Sequence, residues 1–236
     1  MLKKIISTFL VCAMACSPVV ASANAVLSED MEVKLVQLQA EAIIEGIDEE
    51  ALLMDALDDV IDYSVPEEIR ESIIADATFM PAEGVSQDEV EVEVHSTVQK
   101  VGEVLRRSGD VSNMYVSVVS AEIKEDSWMT LESGVRAWAI VCWIDNFGFD
   151  NVLYSAKASW DPGNKSIQNR VVKYGVTGAM GLTWTDGPTI QYPTENIVEY
   201  VVDEGTYVGY KLKCQTEVEI VNVGILTCSS TSGWTT

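Results

Sequence analysis

Hydrophobic positions in this chain of 236 residues recur at two different spacings, and the change from one to the other falls near residue 90. Met31, Leu35, Leu38 and Ala42 follow at steps of four, three and four, the spacing of one face of an α-helix. Ser28 is placed to cap that helix. Glu29 and Asp30 would lie in its first turn, where carboxylates suit the helix dipole, and Gly46 can end it. A second helix is predicted from Asp48, with Leu53, Leu57, Val60 and Ile61 on one face. Ser64-Val65-Pro66-Glu67 has capping-box spacing with a proline in the first turn, which predicts a third helix carrying Ile69, Ile73 and Ile74. Helices this short are marginal alone in water, so their apolar faces must pack on one another or on the rest of the chain.

From Val90 to His95 valines and polar residues alternate strictly, as in a strand whose acidic face marks a sheet edge, with a helix over residues 88–107 as the alternative. Further strands are predicted near 113–124, 134–146, 151–160, 166–176, 197–203, 206–214 and 218–228. Asp161-Pro162-Gly163-Asn164 is a strong hairpin signal, and Asn146-Phe147-Gly148 and Asp203-Glu204-Gly205 are further turn candidates. Strand 134–146 is apolar on both faces, with Ala137, Ala139, Val141 and Trp143 on one and Trp138, Ile140, Cys142 and Ile144 on the other. It should be central and covered twice, the helices supplying one cover. A loop at Gln215, Thr216 and Glu217 would set Leu212 opposite Ile220, because a shorter loop would turn Glu217 and Glu219 onto the buried face. The expected fold is α+β and mostly β: an antiparallel β-sandwich or open barrel over residues 81–236, preceded by a short acidic helical segment over 26–80.

Residues 1–25 read as a secretory signal peptide. Lys3 and Lys4 precede the apolar run Ile5 to Ala15, and small residues permit cleavage after Ala23 or Ala25. The segment resembles the signals of Gram-positive bacterial secreted proteins. Ala13-Met14-Ala15-Cys16 is a degenerate lipobox, so a cell-surface lipoprotein held through Cys16 is the alternative to release. No stable membrane insertion is expected after cleavage, since no later run approaches the roughly 18 apolar residues of a membrane helix. Export leaves Cys142, Cys214 and Cys228 in a compartment that permits disulfides, and a bridge from Cys142 to Cys214 or Cys228 is the expected pairing, with three buried free thiols packed as small hydrophobes as the alternative. Without a C-x-x-C unit, and with His95 the lone histidine, neither a zinc site nor any cofactor is predicted.

Charge sharpens the division. The chain carries a formal charge of minus 22. Residues 26–96 hold 21 acidic and 2 basic side chains, net minus 19, whereas residues 97–236 hold 16 and 11, net minus 5. All six Trp and seven of eight Tyr lie after residue 96. So acidic a surface repels nucleic acid and other polyanions. No nucleophile motif accompanies His95, and Asp145 to Asp150 lacks the spacing of a calcium loop. Trp184, Tyr192, Tyr200 and Tyr207 are the candidate ligand-binding residues, an aromatic platform for a neutral glycan or a protein segment. The expected function is a secreted or cell-surface, non-enzymatic binding protein. The alternatives are a secreted hydrolase of glycan or peptide working through carboxylates, and an acidic inhibitor of a basic secreted protein.

Overall fold

The computed structural model describes residues 29–86, 90–106, 109–125, 134–146, 150–178, 181, 183–185, 187–201, 208–209 and 211–232. The signal segment with Cys16 lies outside these residues, as do most of the turns expected at 146–148 and 203–205. Among the described residues three helices come first: α1 (Glu29–Ile44), α2 (Glu49–Leu57) and α3 (Glu67–Glu71). Eleven strands follow: β1 (Ile74–Pro81), β2 (Val90–Leu105), β3 (Val111–Glu125), β4 (Arg136–Asn146), β5 (Asp150–Asp161), β6 (Ile167–Thr177), β7 (Thr189–Gln191), β8 (Ile197–Val201), β9 (Val208–Gly209), β10 (Lys211–Ile220) and β11 (Gly224–Ser232). They form two antiparallel sheets, one in the order β1-β11-β10-β6-β7 and the other β2-β3-β4-β5-β8, with β9 beside β5. The fold is therefore a β-sandwich with a few short helices, and β2 is an edge strand.

Burial follows the alternation of β4. Ala137, Ala139, Val141 and Trp143 face the space between the sheets with Leu212, Val218, Leu226 and Tyr115, while α3 contributes Val65's neighbour Ile69 to the same core. The odd-numbered face of β4 thus belongs to the sandwich, and the even-numbered face to a second core. There Trp138, Ile140, Cys142 and Ile144 join Met114, Val116 and Val118 beneath Ala40 of α1 and Leu52 and Ala56 of α2. Period two within the strand and a helix layer outside it together make β4 the twice-covered centre that its sequence requires.

Carboxylates and amides fasten the helical segment to the edge of this sheet. The Ser96 N–H donates to Asp59 Oδ1 at 3.0 Å, and the Lys100 N–H donates to Asp62 Oδ2 at 3.1 Å. Gln39 both accepts from the Leu105 N–H and donates to its carbonyl, each at 3.0 Å. Thr97 Oγ1 donates to the Val60 carbonyl at 2.7 Å, and Gln99 Nε2 to Asp55 at 2.7 Å. A β2 bulge at Lys100/Gly102 gives α1 its seat: a Cβ on Gly102 would lie 2.8 Å from Ile43 Cδ1.

Five sequence expectations are corrected. The buried faces of α1 and α2 carry Ala40, Leu52 and Ala56, whereas Leu38, Val60 and Ile61 of the expected faces are exposed, the last two lying beyond the end of α2 at Leu57. Helix α3 stops at Glu71, and Ile74 opens β1 instead, paired with Thr231 of β11. The turn at Asp161-Pro162-Gly163-Asn164 has the expected local chemistry, with Gly163 at φ +53° and its N–H donating to Asp161 Oδ1 at 2.9 Å. It joins no hairpin, however, because β5 and β6 belong to different sheets. The last hairpin turns at 221–223, not at 215–217: Ile220 pairs with Gly224, and Asn222 takes φ +63°. Leu212, Cys214, Thr216, Val218 and Ile220 are all buried along one unbroken strand, and Thr216 is the polar member that mimics a turn.

The last correction concerns the three cysteines among the described residues, all of them free and buried. Cys142 lies on the helix-facing side of β4, while Cys214 and Cys228 face the space between the sheets, so the expected bridge from Cys142 would have to cross a sheet. Cys214 pairs with Ser230, and Cys228 with Thr216. The two thiols are thus diagonal neighbours, a placement with Cα atoms roughly 7–8 Å apart, beyond ordinary disulfide reach.

Candidate functional site

Strand β7 is only three residues long and pairs with Val172 to Tyr174, so that among the described residues the outer edge of β6 before Val172 has no strand neighbour. An open notch of about 470 Å³ lies there, lined by Gln168, Asn169, Arg170, Tyr192, Pro193 and Thr194 among others. Its floor is shaped by a bulge. Glu217 of β10 pairs with Val171 and Glu219 with Gln168, so β6 spends one residue more than β10 over that step. Asn169 takes φ +48° there, a left-handed conformation that asparagine tolerates better than most residues. The bulge brings two side-chain amides to one carboxylate: Gln168 Nε2 and Asn169 Nδ2 donate to Glu219 at 2.9 and 2.5 Å.

These two hydrogen bonds hold the Glu219 carboxyl below the usual range. Arg170 is fixed too, its guanidinium donating to Asn196 Oδ1 and lying over the Trp160 ring, 5.9 Å from the centroid. Tyr192 is 74% exposed above this floor. A rigid set of amide, carboxylate and guanidinium groups beside a bare aromatic face can hydrogen-bond a polar ligand while covering its apolar side.

The other predicted aromatics do not join Tyr192 in one platform. Trp184 bridges to Thr177 at the far end of β6, some six strand residues from the notch, which is roughly 20 Å. Its ring lies 5.7 Å from Lys213 Nζ, against the outer face of the sheet. Tyr200 on β8 stacks on Tyr174 of β6, with ring centroids 5.4 Å apart and planes inclined by 13°, and so packs between the sheets. Burial raises its phenol above the ordinary value, and nearby Cys214 adds to the effect. Tyr207 lies outside the described residues.

A second concavity lies between the helix layer and the sheet, lined by Ile44, Ile47, Leu52, Ile140, Cys142 and Lys157 among others. At about 40 Å³ it holds a few water molecules and no more. Lys157, nearly buried, closes its mouth by pairing with Glu49 from the first turn of α2.

The titratable groups show little that resembles a catalytic pair. Both ring nitrogens of His95 face carboxylates, Nδ1 at 3.0 Å from Asp59 and Nε2 at 3.6 Å from Glu93. That geometry suits a tether and leaves neither nitrogen turned to a nucleophile. Asp145, at the end of β4, is the one carboxyl among the described residues raised above its ordinary value, by burial that Arg106 partly offsets. No group of three or more His, Cys, Asp or Glu side chains able to hold a metal ion occurs among the described residues. None of the described helices is long and apolar enough to cross a membrane.

Tyr192, singled out in the sequence, lines the notch, whereas Gln168, Asn169, Arg170 and Glu219 beside it were not singled out. The signal was faint: a run of polar residues in a strand otherwise rich in valine, opposite an acidic stretch of β10 whose register was misplaced by the wrong turn. Comparison with known protein families, with curated proteins and with solved structures finds no match.

Proposed function

We propose that this chain is a secreted or cell-surface binding protein without catalytic activity, and that it takes a neutral glycan at the notch beside Tyr192. The carrying observation is the exposed Tyr192 side chain lining one notch with Gln168 and Asn169, whose amides are already held in place by Glu219. Such pre-ordering lowers the entropic cost of binding. Stacking of a sugar's apolar face on the ring, with amide and guanidinium hydrogen bonds to its hydroxyls, fits this set of groups. Two features support a binder over a hydrolase. Glu219 beside the notch is held in its ionised form, the reverse of what a general acid requires, and His95 is committed to two carboxylates.

A glycan array on the folded mature chain followed by calorimetry tests the reading. A neutral oligosaccharide should bind, and Tyr192→Ala should weaken it at least tenfold, about 1.4 kcal/mol. A blank array, or an unchanged affinity in the variant, overturns it. The hydrolase reading draws on Asp145: turnover of a glycan or peptide that disappears in Asp145→Asn would replace the proposal.

A further inference from the structure

Strand β2 is 16 residues long and forms the edge of its sheet, yet only part of its outer side is occupied. The N–H groups of Ser96 and Lys100 are taken by Asp59 and Asp62, so even-numbered positions before the bulge point away from β3. After the one-residue bulge the outward set becomes odd-numbered, and Leu105 is accordingly the next position taken, by Gln39. The same alternation turns the N–H groups of Val90, Val92 and Val94 outward. Among the described residues nothing is hydrogen-bonded to them, although this stretch is fully paired with β3 on its other side, from Val90 opposite Glu125 to Val94 opposite Ala121. Val90 and Val92 pack toward the space between the sheets, Val94 is 39% exposed, and Glu91 and Glu93 lie on the opposite face.

We propose that Val90–Val94 is a docking edge for an extended cationic segment of a partner protein in which basic and β-branched residues alternate. Added as a further strand, such a segment would accept hydrogen bonds from Val92 and Val94 and return its own N–H groups to their carbonyls. Its β-branched residues would then lie beside the valines, and its lysines or arginines beside Glu91 and Glu93. The strand next to this edge already shows that pairing, since Lys124 of β3 lies opposite Glu91 and forms an ion pair with Glu93. The charge of the surrounding segment, net minus 19 over residues 26–96, attracts a basic partner and opposes self-pairing of two β2 edges.

The test uses the full mature chain and two short synthetic peptides, one alternating valine with lysine and the other valine with glutamate. Fluorescence anisotropy should show the lysine peptide binding, with affinity falling as salt rises, and the glutamate peptide not binding. Amide hydrogen exchange should slow at Val92 and Val94. Val92→Pro deletes an outward N–H and leaves the β2–β3 ladder intact, because proline is tolerated on the free side of an edge strand. It should cost at least tenfold in affinity at an unchanged thermal midpoint. Should that variant fail to fold, the double variant Glu91→Gln/Glu93→Gln decides, with weaker binding and a shallower salt dependence expected. Absence of lysine-peptide binding, protection confined to the helices, equal binding of both peptides, or an affinity unchanged in the variant that folds would each overturn the proposal. In that event the two glutamates serve only to block strand pairing.

Discussion

Cys142, Cys214 and Cys228 are silent as nucleophiles because a thiolate is costly where each of them lies. Burial pushes the Cys214 thiol up to about 12, and the thiols of Cys142 and Cys228 are raised further in the same direction. The Cys228 thiol donates to the Val119 carbonyl at 3.3 Å, so it behaves as a small core residue with one weak donor. In the folded protein at pH 8, mass spectrometry should find all three unmodified by iodoacetamide, and all three labelled once the chain is unfolded in guanidinium. Labelling of any of them at native conditions would contradict the burial. Gly224 makes a different demand. It opens β11 at φ +154°, and a Cβ there would lie 2.3 Å from the Met80 carbonyl oxygen and 2.7 Å from the Phe79 ring. Gly224→Ala should therefore destabilise the fold by roughly 1–3 kcal/mol, read from urea unfolding.

Fastening of the helical segment to β2 depends on pH through three groups. Burial alone would raise the Asp59 carboxyl, but hydrogen bonds from His95 and the Ser96 N–H, together with the imidazole charge, outweigh it and hold the group below 3.8. Asp62 is held low in the same way, burial being outweighed by Ser64, the Lys100 N–H and the charge of Arg70. His95 is raised above 6.5 chiefly by its hydrogen bond to Asp59, against burial, with Glu93 adding to the effect. Depressed carboxyls stabilise the folded state above 3.8 and lose that contribution as pH falls through their lowered values. A raised imidazole stabilises below 6.5 and loses its contribution as pH rises through its folded value. All three contributions coexist from roughly pH 4 to 6.5. Urea unfolding of the wild type and Asp59→Asn across pH 3–9 should show the largest difference in that window, shrinking on both sides. The presence of α1 and α2 and the two faces of β4 were legible in the sequence because apolar residues recurred at one period. The helix faces were not: Leu38, Val60 and Ile61 are exposed, while Ala40, Leu52 and Ala56, too small or out of step with the larger side chains, make the contact. The last hairpin was not legible. Thr216 is buried but polar, while the true turn at Val221-Asn222-Val223 is apolar except for Asn222. Local turn chemistry likewise predicted the bend at Gly163 and could not say that the two strands it joins lie in opposite sheets.

At the scale of the molecule, the acidic segment is a structural layer and not an appendage. It covers Met114, Val116, Val118, Ile140 and Ile144, which are otherwise the outer face of a sheet. A chain lacking residues 1–72 should bind a hydrophobic dye and aggregate, seen by fluorescence and light scattering; a monomeric, dye-free product would show the layer to be dispensable. Composition located the border of this layer near residues 81–97, but the fold takes β1 into the sandwich before that border, because Ile74 to Pro81 has a partner strand more than 140 residues away. No count of charges or aromatics carries that information, and the notch at Tyr192 was only half visible for the same reason. The pairing of β1 with β11 also sets an order of events. The sheet that holds both strands has no local hairpin at its β1 edge, since Ile74 meets Thr231 and Pro81 meets Gly224. As the chain emerges from the ribosome, β2 to β5 can zip as a meander, each strand meeting the next. β1 must wait until nearly the whole chain has been made. A synthesis that halts before residue 224 leaves β1 without its partner, so the nine residues of β11 act as the latch that closes the first strand into place.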